Sequence, residues 1–262
     1  MNLQQFKEKI KYKEEDLTVT FIDSKSSKRL KFDIINQTTL WRAETLFSKE
    51  PETIQWIRNF KPNSIFYDIG ANVGMYSIFA AINNKKNKIY SFEPHAGNFM
   101  SLVKNININN VSKTTFSYPV ALSNKTKFTI LYLDNMISGD SGHCLENSLD
   151  HNLNKINLPY QQNAFTTSLD DLIGKWKFPI PNYVKIDVDG LEGKIILGAK
   201  NLIKHKKLFS VLVEINPERE KDKDILKFFK KNNFIFDEFE TDKCRKKSGW
   251  NKGYANYIFF RN

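Results

Sequence analysis

Cysteine is almost missing from this chain. Cys144 and Cys244 are the only two among 262 residues, and they form no C-x-x-C pair. That spacing fits two free thiols rather than a disulfide framework or a thiolate metal site. Long apolar runs are missing too. No stretch approaches the roughly 18 residues that a membrane-spanning helix needs. The first residues, MNLQQFKEKIKYKEEDL, hold no apolar h-region, which argues against a secretory signal. A soluble protein of the cytoplasm is the expectation. Two glycine patterns are also absent. A dinucleotide fold uses G-x-G-x-x-G to bring its backbone against a pyrophosphate, and a P-loop uses G-x-x-x-x-G-K-[ST]. The chain has neither, so a ligand without phosphates fits better. Histidine is scarce, with four in all. None accompanies the main cluster of acids, and no resident metal is expected.

What is present supports a sizeable folded unit. Apolar residues make up 40% and aromatics 13%, enough for the core of one large domain with an extension. The net charge of +11 is spread along the chain, as at Lys85-Lys86, Lys204 to Lys207, Lys230-Lys231 and Arg245 to Lys247. Scattered positive charge fits compositional bias first, an anionic small or sugar-like substrate second and nucleic acid third.

Residues 1–16 read as a frayed helix or arm. Residues 17–22 and 28–35 alternate and are rich in β-branched residues, which predicts a hairpin. Residues 38–47 and 51–60 read as helices, with Pro51 at a first helical position. Residues 1–60 are therefore expected to form an α+β extension that caps a main domain at 61–262. From residue 64 strands and helices alternate. Strands are expected at 64–69, 88–92, 114–120, 183–187 and 209–215, with helices at 74–83, 96–109, 191–203 and 223–232. This order predicts an α/β fold with a mostly parallel sheet and helices on both faces. Residues 234–239 and 254–260 read as two closing strands without a helix between them, one of them antiparallel at the sheet edge. Residues 127–133 read as a further strand, 165–167 as extended, and Ser168 as the cap of a helical turn at 169–173. The stretch 134–160 reads as an irregular insert, and so long a loop is usually functional or mobile.

Three motifs carry the chemistry. The first is Asp68-Ile69-Gly70-Ala71-Asn72-Val73-Gly74, an acid at a strand end followed by a turn into a helix. An α/β fold binds nucleotide-like ligands at such a place. Asp68 can accept from an ammonium, Gly70 relieves crowding, and the amides from Asn72 to Gly74 can meet a carboxylate at the helix's positive end. The second is Glu93, followed by Pro94, at the end of the next strand. A carboxylate there can accept from both hydroxyls of a ribose. The third is Asp187-Val188-Asp189-Gly190-Leu191-Glu192. Asp187 and Asp189 lie two apart on extended chain and can share a side. With Glu192 they can orient a hydroxyl, act as base or, less readily without a histidine, bind a divalent metal, while Asp189 and Glu192 can equally cap the next helix. His143, in the insert, is a further candidate base.

These motifs, with Val120-Ala121-Leu122-Ser123, Thr167-Ser168-Leu169-Asp170-Asp171 and Val213-Glu214-Ile215, resemble the FkbM family of S-adenosylmethionine-dependent methyltransferases over about residues 61–262. The resemblance implies a class I, Rossmann-like, seven-stranded sheet whose last strand is antiparallel. It implies S-adenosylmethionine as cofactor, held by Asp68, Gly70 and Glu93, and most often methyl transfer to a sugar or polyketide-like hydroxyl. By analogy with the wider class I fold, Val120 and Ala121 would flank the adenine. Asn72 and Gly74 complete the expected donor loop. The expected bases are Asp187, then Asp189, then His143. An anionic glycan or sugar is the favoured acceptor, with its recognition expected in the insert. A nucleic-acid methyltransferase on the same fold is the alternative, weakened by the absence of [DN]-P-P-[YF] at the fourth strand. A non-catalytic binding protein is the third reading. Nothing in the sequence sets an oligomeric state.

Overall fold

A computed structural model describes residues 17–147, 157–188, 190–249 and 252–261. The expected arm at 1–16, part of the insert and Asp189 lie outside the described residues. The chain opens with an antiparallel hairpin, β1 (Thr18–Ile22) and β2 (Arg29–Asp33), as alternation predicts. Helix α1 (Gln37–Thr45) starts at a capping box on Asn36, and α2 (Pro51–Arg58) starts at Pro51. Arg58 ties α2 to the hairpin through two hydrogen bonds to Asp23, 2.8 and 2.6 Å long.

The central sheet takes β3 (Ile65–Ile69), β4 (Lys88–Phe92), β5 (Thr115–Tyr118), β10 (Tyr183–Ile186), β11 (Ser210–Ile215), β12 (Phe234–Ile235) and β13 (Ala255–Arg261) in the order β12-β13-β11-β10-β3-β4-β5. Parallel pairing runs from β5 to β11, and β13 is antiparallel to both its neighbours. This is the Rossmann-like architecture that the alternating pattern implies. The chain builds outward from β3 to β5, then returns to the other side of β3 at β10. The loops that leave β3 and β10 therefore diverge, and a crevice opens at this reversal of strand order.

Three details differ from expectation. The antiparallel strand is not at the edge, because β13 lies between β11 and the two-residue β12. The stretch 234–239 is not one strand either. Asp237 accepts from the Glu240 amide at 3.0 Å and caps a short helix, α9 (Glu238–Lys243), which ends β12 early. The helix expected at 191–203 is likewise two, α6 (Glu192–Leu197) and α7 (Lys200–Lys204). A Cβ at Gly198 between them would lie 2.4 Å from the Ser123 carbonyl oxygen. Helix α8 (Glu220–Lys231) then leads to the edge.

Alternation along each strand splits the core into two layers. Tyr67, Ile69, Val184 and Ile186 face one layer, beneath α5 (Leu169–Gly174) to α8. Phe66, Tyr183 and Leu212 face the other, which they share with Leu30, Phe32 and Trp56 of the N-terminal elements. That second layer also takes α3 (Met75–Asn83) and α4 (Ala96–Ile108).

The insert belongs to a second, four-stranded sheet. Its strands are β6 (Ala121–Leu122), β7 (Lys127–Leu133), β8 (Cys144–Leu145) and β9 (Tyr160–Thr167), ordered β6-β9-β7-β8. The extended stretch expected at 165–167 is thus the end of an eight-residue strand that pairs along all of β7. The polar turn at 138–140 is pinned down rather than loose. Asn36 donates to the Ser138 carbonyl at 2.8 Å, Asn72 and Asn98 donate to the Asp140 carbonyl at 2.8 and 3.1 Å, and Arg42 donates to the Gly139 carbonyl.

Candidate active site

The crevice at the strand reversal holds a cavity of about 410 Å3. That volume falls within the ~300–1,000 Å3 range of small-molecule sites. Gly70, Asn72, Glu93, Val120, Ala121, His143 and Asp187 all stand on its wall. Gly70 leaves β3 at φ +76°, where a Cβ would meet the Asp187 carbonyl oxygen at 2.0 Å. Only glycine lets the loops after β3 and β10 come this close.

The rest of the first loop serves itself. The Asn72 amide donates to Glu93 at 2.8 Å, the Val73 amide to the Asn72 side chain at 2.9 Å, and the Gly74 amide to the Ala71 carbonyl at 2.8 Å. These three amides are committed, contrary to the expectation that they stand ready for a ligand carboxylate. Gly74 is absent from the wall. It begins α3 at φ +89°, and a Cβ there would press on Leu102 of α4 at 2.5 Å, so its service is helix packing.

Glu93 is buried at the end of β4. Its carboxylate accepts from the Asn72 amide at 2.8 Å and the His95 amide at 2.9 Å. Burial pushes its pKa up to about 7 despite those bonds. Lone pairs remain on both oxygens for hydroxyl donors. Around it the wall turns apolar, with Phe92, Val120, Ala121, Leu131 and Leu145. His143 lies at this end. Its ring sits 4.7 Å from that of His95, and neither of its nitrogens has a hydrogen-bond partner among the described residues. Burial, then the neighbouring His95, lowers its pKa to about 4. At neutral pH it is an uncharged imidazole with one donor and one acceptor to spare.

The other end is charged. Lys185 of β10 stands opposite Asp68 of β3 in the parallel register, with 1% of its side chain exposed. Its ammonium lies 2.8 Å from Asp187, 4.0 Å from Asp68 and 5.0 Å from the Tyr76 ring. Burial opposes the charge on Lys185, but these carboxylates hold its pKa above the ordinary value. Burial would likewise raise Asp187, yet Lys185, Lys49 and Lys246 hold it well below the carboxylate range. Asp68 is not on the wall. It lies beneath the loop, where Ser77 donates to it at 2.6 Å and its other oxygen has no hydrogen-bond partner. Burial raises its pKa. Glu214, at the end of β11, accepts from Lys246. Burial, and then the charge of Asp187, push Glu214 above the ordinary range. Glu192 turns back on its own loop and accepts from the Val188 and Gly190 amides at 3.3 and 3.2 Å. No group of acids, cysteines and histidines among the described residues is arranged to hold a metal ion.

Residues 68–236 match the methyltransferase FkbM domain. The chain belongs to that family. Its catalytic activity is methyl transfer, and S-adenosylmethionine is the methyl donor. The hexuronic acid methyltransferase AglP of Haloferax volcanii is 24% identical over 189 residues, covering 71% of this chain and 70% of that protein. The crystal structure of an FkbM methyltransferase from Methylobacillus flagellatus aligns with a TM-score of 0.50 at 14% identity and covers 86% of this chain. The chain spans only 55% of the length of that larger protein. No helix among the described residues is long and apolar enough to cross a membrane.

The cavity of this FkbM-family methyltransferase fits its donor on its own chemistry. An acceptor carboxylate, Glu93, lies between an apolar pocket for a nucleobase and a charged end for an amino acid. His143 lines this cavity with both ring nitrogens unsatisfied among the described residues, so a bound nucleoside could supply partners. The sequence reading missed part of the wall. Trp41, Arg42, Lys49 and Glu50 come from α1 and the turn after it, and Lys246 comes from the basic loop. The first four lie outside the matched residues, in a stretch with no recognisable motif. Lys246 sits in a loop that had been assigned only charge. Cys144 and Cys244 form no disulfide among the described residues.

Proposed function

We propose that the chain transfers a methyl group to a hydroxyl of an anionic sugar, with Glu214 taking the hydroxyl's proton. The supporting observation is the charged end of the cavity. It offers two carboxylates with opposite electrostatics on adjacent strands. Asp187, neutralised by Lys185, is a weak base and a good partner for the donor's ammonium. Glu214 is the better base, because burial and Asp187 make it readier to take a proton. This assignment moves the base from Asp187, the first expectation, to its neighbour on β11.

Bound here, S-adenosylmethionine supplies a methyl group already activated on a sulfonium. The protein's part is to place an oxygen nucleophile in line with it and exclude water. Glu93 would hold the ribose, Val120, Ala121 and His143 the adenine, and Gly70 the close approach of the loops. Asp68 acts from behind, by fixing Ser77 and Lys185. Asp189, outside the described residues, remains a proposed contact to the acceptor hydroxyl. The positive side chains Arg42, Lys49 and Lys246 favour an acceptor with a carboxylate, and the similarity to a hexuronic acid methyltransferase supports the same class. The lack of a disulfide between Cys144 and Cys244 suits a reducing compartment, and we place the reaction in the cytoplasm.

The test is transfer of labelled methyl to glucuronic or galacturonic acid derivatives by wild type and Glu214→Gln. The variant should lose about 10²-fold or more in kcat. Its rate should no longer fall as pH drops below neutrality, and its affinity for S-adenosylhomocysteine should stay within twofold. Full activity in the variant, or label in RNA and not in sugar, would overturn the proposal.

A further inference from the structure

A second cavity, of about 1,110 Å3, opens between α2, α9 and the strands β11 and β13. It meets the first at three shared residues, Lys49, Glu50 and Lys246. We propose that this second cavity is the acceptor site, and that it takes a short uronate oligosaccharide whose end reaches the junction and whose chain runs back along β13 toward Phe260, Phe209 and Lys61. The inference rests on the methyl-transfer reading above and adds where the acceptor lies and how much of it is bound.

Four observations carry it. The first cavity is near the lower limit for one drug-sized ligand, so a second reactant needs adjoining space. The junction is the charged end of the first cavity, beside Asp187 and Glu214, where the proton must be taken. The floor of the groove carries Phe209 and Phe260, 37% and 45% exposed, which offer apolar faces to sugar rings. Its α2 wall presents Gln55 and Asn59, one turn apart, with amides for hydroxyls.

Charge selects the anionic class. Of the five wall carboxylates, Asp23 pairs with Arg58, Glu50 with Lys49 and Glu240 with Lys243, while Glu52 accepts from the Asn256 amide and Asp237 caps α9; six cations, Lys25, Lys49, Arg58, Lys61, Lys243 and Lys246, share the same wall. Lys61 has no carboxylate partner among the described residues, and its ammonium lies 5.1 Å from the Phe209 ring. An aromatic face with a free cation above it can take the ring and the carboxylate of one uronate. Lys246, which donates to Glu214, stands at the other end, and Glu214 is five residues along the chain from Phe209, or about 17 Å. Recognition would thus fall to the N-terminal elements and the basic loop, and not to the insert alone.

The test uses the full chain saturated with S-adenosylhomocysteine and titrated with galacturonic acid oligomers of one to four units. Affinity should rise about tenfold or more from monomer to trimer. Lys61→Glu and, at the exposed α2 wall, Gln55→Trp should each remove that gain without changing S-adenosylhomocysteine affinity. Affinity independent of length, a gain that survives both substitutions, or no binding of any oligomer would overturn the acceptor groove while leaving the donor site standing. Failure to bind S-adenosylhomocysteine would overturn the donor site and the groove with it.

Discussion

Lys185 shows how one side chain sets the site's electrostatics. A lone buried ammonium would cost several kcal/mol, and Asp187 and Asp68 compensate it here. Lys185→Met leaves two carboxylates without their cation and should cost about 3–5 kcal/mol in urea unfolding. Adding Asp187→Asn should return part of that loss. Asp187 has its folded pKa depressed, so its contribution to stability is present above the ordinary carboxylate pKa. It is lost as pH falls through the depressed value. His143 sets a second question at this scale. With its ring against His95 at the apolar end, it is, on the proposed reading, a nucleoside contact before it is a base. His143→Phe keeps the stacking surface and removes both nitrogens. S-adenosylhomocysteine affinity should fall about tenfold, the worth of one hydrogen bond to a buried group. Turnover at saturating donor should change less than twofold. A large loss in kcat with donor affinity intact would instead make His143 the base.

At the scale of elements, α6 carries a pH-dependent strain. Glu192, its first residue, is buried, and burial raises its pKa to about 7. The folded chain therefore holds more protons than the unfolded one between about 4.5 and 7, and stability declines as pH rises across that window. Glu192→Gln should be more stable than wild type at pH 8 by about 2 kcal/mol and nearly equal at pH 5, measured by thermal or urea unfolding. The elements from β3 to α4 were legible in the sequence. Their apolar strands, the acids at strand ends and the helical periodicity all agree. Others were hidden by contacts between distant residues. The break between α6 and α7 depends on Ser123, reached only after folding. The segment Phe234 to Phe239 alternates like a strand, and only the cap at Asp237 turns it into α9. The first half of β9 is polar, because three of its four residues, on both faces of the strand, are exposed. Gly74 was read as a ligand contact because a glycine at a turn and a glycine at a helix crossing look alike in sequence.

Over the whole molecule, the proposed division at residue 61 is one of chain and not of core. Leu30, Phe32, Trp56 and Ile57 fill the same layer as Phe66, Ile78 and Phe79. The N-terminal elements also wall both cavities, so the cap expected from the sequence contributes directly to the site. The donor loop of β3 was readable because its residues lie close together in the chain. The acceptor side is assembled from α1, α2, β11 and the basic loop, which only the fold brings together. The central claim is that the donor sits in the crevice between the loops after β3 and β10, with Glu93 on its ribose. The most direct measurement is calorimetric titration of the full chain with S-adenosylhomocysteine, for wild type and for Glu93→Gln. The account predicts one site per chain in the wild type and an affinity at least about tenfold weaker in a variant that remains folded. Equal affinity in the two, or no binding to the wild type, would contradict it.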